Sequence, residues 1–357
     1  MKTYIKFLIN LFNISFFKVL IVFFIIILIT NILEQVEFFK EIDLSFFYII
    51  FLSFLNVPST MFEILPFIFL LSVQIFFIQL IDKNELEIFK YTGLDNFKII
   101  KILGVYSFFL GIILVGLFYN GSSILKKSYL GIKNSYSDDN KYLAVITENG
   151  LWLKDEINEN INIINANKVD NEFLLDVSIT KFNKNFEVVE IIDSKKVDIT
   201  SKNWKIFNPT LSMYNSQTTS NEITMESNFD LQKINSLFSN LSSLTIIDLI
   251  TLRKSYTSLN YSVTDIDSHL LKIISYPIYL TLITIFSAII MFNIGYQKNT
   301  FFKITLGIFL SVIIYYINNF LSVLGTNEKI PLILSIFLPL IILSIINFIS
   351  IIKLNEK

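Results

Sequence analysis

Six apolar runs, each long enough to cross a bilayer, constrain this chain more than any other feature of its sequence. A hydrocarbon core about 30 Å thick takes about 20 helical residues to span. The runs cover residues 13–33, 44–81, 97–118, 270–294, 302–324 and 330–352, and the second is interrupted by Pro58 and Pro66. The first is too long for the apolar core of a signal peptide and lacks a small-residue cleavage site after it, so it is expected to be retained. Hydrophobic residues make up 53% of the 357, well beyond an ordinary soluble domain. The expected fold is therefore a polytopic α-helical membrane protein.

Lysines in the short connections set the orientation, because positive residues stay on the cytoplasmic side. Lys2, Lys6, Lys83, Lys90, Lys98, Lys101, Lys298, Lys303, Lys353 and Lys357 fall on one side, against Lys40 and Lys329 in the short loops opposite. Glu34, Glu37, Glu41 and Asp43 make the loop after the first run acidic. Both termini are predicted to be cytoplasmic, with the long polar interval between runs three and four outside the cytosol.

That interval changes period. YLAVITE, INIINANKV, FLLDVSITKF, FEVVEII, KKVDIT and NEITMES mix β-branched or aromatic residues with polar ones, separated by Asn, Asp, Ser and Gly. Asn149-Gly150 is the strongest hairpin signal. About eight strands without helical periodicity predict an all-β sandwich or jellyroll-like domain. Apolar spacing turns helical again over 245–260. The expected division is 1–120 for spans one to three, with a short coupling helix at about 82–93; 121–244 for the β domain; and 245–357 for a connecting helix and spans four to six.

Charge and rare residues narrow the chemistry. With 29 basic and 30 acidic residues the net charge is −1, so no basic field exists to draw nucleic acid. Cysteine is absent and His269 is the single histidine, which excludes disulfides, thiolate chemistry and a multi-histidine metal cage. Only 10 glycines are present and none forms a phosphate-binding loop, so the chain is expected to have no cofactor, no metal, no catalytic residues and no ATP hydrolysis of its own.

Several residues invite function. KNELEIFKYTGLDNFKIIK, residues 83–101, can form a short amphipathic helix with Leu86, Ile88 and Phe89 as anchors, Glu85 and Glu87 as charges and Gly93 as its stop; the alternative is a solvated turn whose lysines anchor two spans. Glu63, between Pro58 and Pro66, is an acid at a depth where charge costs about 2.5–3.5 kcal/mol, so it either lines a polar path or sits just below the membrane surface. Lys18 can snorkel. Lys272 can do so too, or face an anionic headgroup beside a kink at Pro277. His269, at the mouth of the same run, reads as an interfacial polar residue.

The arrangement and several strings resemble the LptF/LptG (YjgP/YjgQ) family of lipopolysaccharide export permeases, over essentially the whole chain. NVPSTMFEILP (56–66) resembles the family's VP…LP segment. NELEIFKYTG (84–93) is similar to its S-E-L…A-S-G coupling segment, with Glu85 on the glutamate and Gly93 on the glycine. HLLKIISYP (269–277) and KIPLILSIFLP (329–339) resemble the starts of its fourth and last spans, and NGLWLKD (149–155) looks more like LptG than LptF.

The resemblance implies a permease subunit that pairs with an LptF-like paralogue. Two copies of an LptB-like cytosolic ATPase would drive it, and it would lift lipopolysaccharide from the outer leaflet to a periplasmic β-jellyroll and an LptC-like protein. It implies that Glu85, Leu86, Phe89 and Gly93 couple to the ATPase, with Leu86 and Phe89 filling its groove, and that Lys40, Lys126, Lys127 and Lys272 are candidates for the lipid headgroup. The sequence departs from the family at the outer end of span one, where several basic residues are usual and Lys40 stands alone among acids. Arg253 is the single arginine, so headgroup recognition must use lysine point charges, which predicts salt-sensitive binding. Two other readings compete: the LptF rather than the LptG paralogue, and a membrane-anchored sensor or scaffold with a periplasmic β-sandwich.

Overall fold

The computed structural model describes residues 3–40, 42, 44–136, 151–157, 160–170, 172–183, 186–213, 216–231, 234, 240–258, 262–294 and 300–355. The chain divides into two compact units, residues 1–126 with 264–357, and residues 127–263.

Among the described residues, six helices are long and apolar enough to cross a membrane: Thr3–Phe38, Phe46–Asp82, Asn96–Lys133, Thr264–Asn293, Phe301–Thr326 and Leu332–Leu354. They match the six apolar runs and overrun the first, third and fourth by several residues, since a helix continues past its apolar stretch until a cap stops it. Ser45 caps the second span, and the Asp95 carboxylate caps the third by accepting from the Lys98 N–H at 2.8 Å. Between spans two and three lies a short helix, Glu85–Tyr91.

Spans two and four are the most enclosed and span five the least. Burying apolar surface offers little drive between helices already in lipid, so close packing and internal polar contacts hold them together. Asn31 accepts from Asn56 at 2.6 Å, Asn13 from Tyr106 at 2.7 Å, and Ser107 from Thr284 at 3.0 Å. Ser287 donates to the Leu70 carbonyl, Asn347 to that of Leu282 and Gln74 to that of Lys303. A Cβ on Gly307 would land on the Gln74 amide, so only glycine admits that last contact.

The third span is not uniform. Asn96–Ile113 is α-helical, Leu114–Tyr119 is a π-helical turn, and Asn120–Ser135 resumes the α-helix. Residues 121–135, grouped by sequence with the β interval, are therefore helical. Their polar side chains break the apolar run but not the helix, and the Asn120 side chain bonds back to the Gly116 carbonyl at 2.7 Å.

The second unit contains an eight-stranded antiparallel sheet: β1 Leu151–Ile157, β2 Asn160–Asp170, β3 Phe173–Phe182, β4 Val188–Asp198, β5 Asn203–Phe207, β6 Thr210–Met213, β7 Ser216–Thr219 and β8 Glu222–Glu226. The order is β1-β2-β3-β4-β5-β8. One edge of β4 carries two partners in succession, β6 along Ile191–Asp193 and β5 along Lys196–Asp198, so the sheet branches there. FEVVEII and KKVDIT, read as separate strands, join as β4. YLAVITE and the Asn149-Gly150 turn lie outside the described residues.

Inward side chains form one apolar core that includes Leu153, Ile164, Leu174, Val177, Ile179, Ile192, Val197, Trp204 and Ile206. In β3 the buried positions shift from even (Leu174) to odd (Val177, Ile179). Between them, after Leu175, lies Asp176, at φ +48°, which is left out of the pairing with both neighbouring strands. The pairing register with β2 and with β4 is the same on either side of it, and the buried positions of β4 shift in step, from Ile192 to Val197, so both halves of the pair face the same core. Asp155 in β1 is fully buried and accepts from Ser227 Oγ at 2.7 Å, Asn228 N at 3.1 Å and Asn228 Nδ2 at 2.8 Å. The helix expected over 245–260 is present as Ile246–Ser258.

Candidate functional site

Spans three and four run antiparallel in close contact. A Cβ on Gly104 would sit 3.3 Å from Ile285, and one on Gly111 would sit 2.9 Å from the Pro277 Cα. Both glycines let backbones approach where a side chain would hold them apart. Two turns beyond Gly111 the contact becomes polar, with Tyr119 Oη and His269 Nε2 sharing a hydrogen bond of 2.9 Å.

The second span completes this region through a proline. Pro66 has no N–H, so the helix cannot bond the carbonyl of the residue four before it, Phe62. Tyr276 of span four supplies the missing donor, its hydroxyl bonding to the Phe62 carbonyl. The same two side chains stack at 4.5 Å, and the Phe62 ring meets Tyr119 at 5.1 Å. Phe62, Tyr119 and Tyr276 thus lock spans two, three and four together, with His269 beside them.

Charged groups project around this lock. Glu63 follows Phe62; Lys126 is two turns beyond Tyr119 on the same helix face; Lys272 lies between His269 and Tyr276 on one face of span four. Glu63 is within Coulombic range of Lys126 and of Lys272, and Asp265 also acts on Lys272. At 1.5 Å per residue, about 28 Å of helix separates Glu63 from Asp82 and about 31 Å separates Lys272 from Asn293, so the two lie at similar depth near one face of the bilayer.

The four lysines singled out by sequence are placed differently. Lys126 and Lys272 share Glu63. Lys127 is exposed, about 100° around the helix from Lys126. Lys40 is exposed in the turn after span one. Tyr119 and Tyr276 were not singled out from sequence, since an aromatic residue in an apolar run carries no distinctive pattern. His269 was read as merely interfacial, because its partner is 150 residues away in the chain.

At the opposite end of spans two and three, the helix Glu85–Tyr91 ends in a Schellman motif. Gly93, at φ +81°, permits the Leu94 N–H to reach the Phe89 carbonyl and the Gly93 N–H to reach that of Lys90. The apolar residues of this helix face different ways. Leu86 is 3% exposed and packs into its own chain, and Phe89 is half-buried against Phe7 of the first span at 5.9 Å. Ile88 and Tyr91 are 58% and 89% exposed and form the outward apolar face. Leu86 and Phe89 hold the helix to its own chain, and Ile88 and Tyr91 are its apolar residues left facing outward. Glu85 keeps one carboxylate oxygen, Oε2, buried without a hydrogen bond among the described residues.

A search of curated proteins finds no match to this chain. The model of the lipopolysaccharide export system permease LptF/LptG, in contrast, matches residues 6–353, nearly from end to end. Six membrane-spanning helices with an inserted antiparallel β-sheet accord with that match, and the chain belongs to the LptF/LptG family, the permease of the lipopolysaccharide export system.

Proposed function

We propose that this chain is the LptG-like permease subunit of an inner-membrane transporter that extracts lipopolysaccharide and passes it to a periplasmic bridge. A separate cytosolic ATPase powers it, and an LptF-like paralogue and an LptC-like protein complete the assembly. Both termini and the Glu85–Tyr91 helix face the cytoplasm, and the β-sheet faces the periplasm. The GLWLKD string favours LptG, and the lysine distribution favours this orientation. Lys126 and Lys272 hold the anionic headgroup, with Lys40 and Lys127 as outlying charges. Glu85 transmits the ATPase stroke, while Ile88 and Tyr91 enter the partner's apolar groove and Gly93 fixes the helix end.

The observation that carries this reading is the family match over residues 6–353, together with a paired-lysine site at one end of the spans and an outward apolar face at the other. Depleting the protein should trap lipopolysaccharide in the inner membrane; unchanged surface lipopolysaccharide would favour a sensor or scaffold. Ile88→Asp or Tyr91→Asp should abolish co-purification of an ATPase and leave the unfolding temperature unchanged. Glu85→Lys should uncouple hydrolysis from transport. Recovery of the intact protein with no ATPase bound would overturn the coupling assignment.

A further inference from the structure

Two lysines at one end of the bundle repel each other, and near the membrane that repulsion is screened less than in water. Some anion must offset it whenever no ligand is bound. The geometry supplies one. The Phe62–Tyr276 stack and the Phe62–Tyr119 contact fix residue 62 against spans three and four, so Glu63 is carried to the same end of the bundle as Lys126 and Lys272. Tyr119 and Lys126 share one helix face, as do His269, Lys272 and Tyr276, which directs both lysines to the side where span two presents its acid.

We propose that Glu63 is a resident counter-ion for Lys126 and Lys272, and that a phosphate-bearing lipid headgroup must displace it to bind, so that Glu63 sets how readily the site releases its cargo. The inference rests on the assignment of these lysines to the headgroup made above. Together with Asp265, which also acts on Lys272, Glu63 brings the empty site close to neutrality, so neither lysine rests uncompensated. A phosphate brings more charge and more acceptor oxygens than the carboxylate, so it wins the lysines while bound. The carboxylate reclaims them as the headgroup leaves, so the site need not pass through a state of two bare cations. An exporter needs this: a site that binds too tightly cannot hand its lipid on. Residue 62 is fixed, and the exposed Glu63 side chain has the rotamer freedom to swing between the paired and displaced positions.

The test uses the full-length chain, purified with the subunits that accompany it and placed in nanodiscs, with lipopolysaccharide and its dephosphorylated form as probes. Glu63→Gln keeps the shape and removes the charge. It should tighten lipopolysaccharide binding about tenfold or more, slow its release, and leave the dephosphorylated lipid unaffected. Glu63→Asp, which retains the charge, should stay close to the parent. Lys126→Gln and Lys272→Gln should each weaken binding. If both lysine variants weaken binding and Glu63→Gln leaves it unchanged or weaker, the counter-ion role is overturned and the headgroup site stands. If neither lysine variant changes binding, the headgroup assignment falls and the counter-ion role with it.

Discussion

Tyr119 Oη lies 2.9 Å from His269 Nε2, joining the last residue of the π-helical turn in span three to the start of span four. Widening a helix to i→i+5 bonding disturbs the carbonyls around it, and here side chains bond them: Ser122 and Ser123 both donate to the Tyr119 carbonyl, at 2.8 and 2.9 Å. The hydroxyl and the carbonyl of one residue are thus held from two directions. A double-mutant cycle of Tyr119→Phe and His269→Ala should give a coupling of about 0.6–1.5 kcal/mol in thermal unfolding of the detergent-solubilised protein. Additive effects would show that the two side chains do not support each other.

Glycines in span three should respond in opposite directions. Gly111→Ala places a methyl group against the Pro277 backbone, which cannot rotate away, and should destabilise by about 1–3 kcal/mol. Gly121 has open space around it, so Gly121→Ala should gain helix propensity and stabilise by about 0.5–1 kcal/mol. Melting temperatures of the two variants, measured side by side, should move in opposite directions.

In the sheet, Asp155→Ala removes the acceptor of three hydrogen bonds and strands the donors of Ser227 and Asn228 in a buried site. The expected cost is about 3 kcal/mol. Hydrogen–deuterium exchange should quicken across β1 and residues 227–229 and leave the membrane spans as protected as before.

Acid should act on Asp198. The Thr200 backbone N–H, at 2.9 Å, and its hydroxyl, at 2.8 Å, hold this carboxyl below its usual range, helped by Lys205 and Lys196 and opposed by partial burial. A folded pKa below the unfolded one means that the stabilisation is complete above about pH 4 and is lost as the pH falls further. Asp198→Asn lacks this term, so the stability gap between parent and variant should be constant near neutrality and close below about pH 4. Unfolding midpoints against pH would read it.

The spans were legible because length and apolarity alone determine them. The π-helical turn was not: LVGLFY is uninterrupted apolar sequence, and nothing in composition distinguishes i→i+5 from i→i+4 bonding. The β period was clear where strands are long, as in β2 and β3. NWKIF, TLSM and SQTT were missed because four or five residues give too few alternations to see. At the candidate site, Glu63 and Lys272 drew notice as charges in apolar runs. Their grouping with Tyr119, Tyr276 and His269 depends on a proline-freed carbonyl and on packing between distant segments, which no local pattern carries. On the short helix, four apolar residues in seven left open which of them face inward, and only the docking of Phe89 on Phe7 distinguishes them.

Both tryptophans of the protein, Trp152 and Trp204, lie in the sheet. The first is 58% exposed, whereas the second is fully buried with its indole N–H bonded to the Phe229 carbonyl at 2.8 Å. Indole emission from the intact, membrane-embedded protein therefore originates wholly in the β unit, with a red-shifted and a blue-shifted component. The chain carries its own optical label on the segment proposed to receive the lipid, and quenching of Trp152 can follow that segment in real time without any added dye.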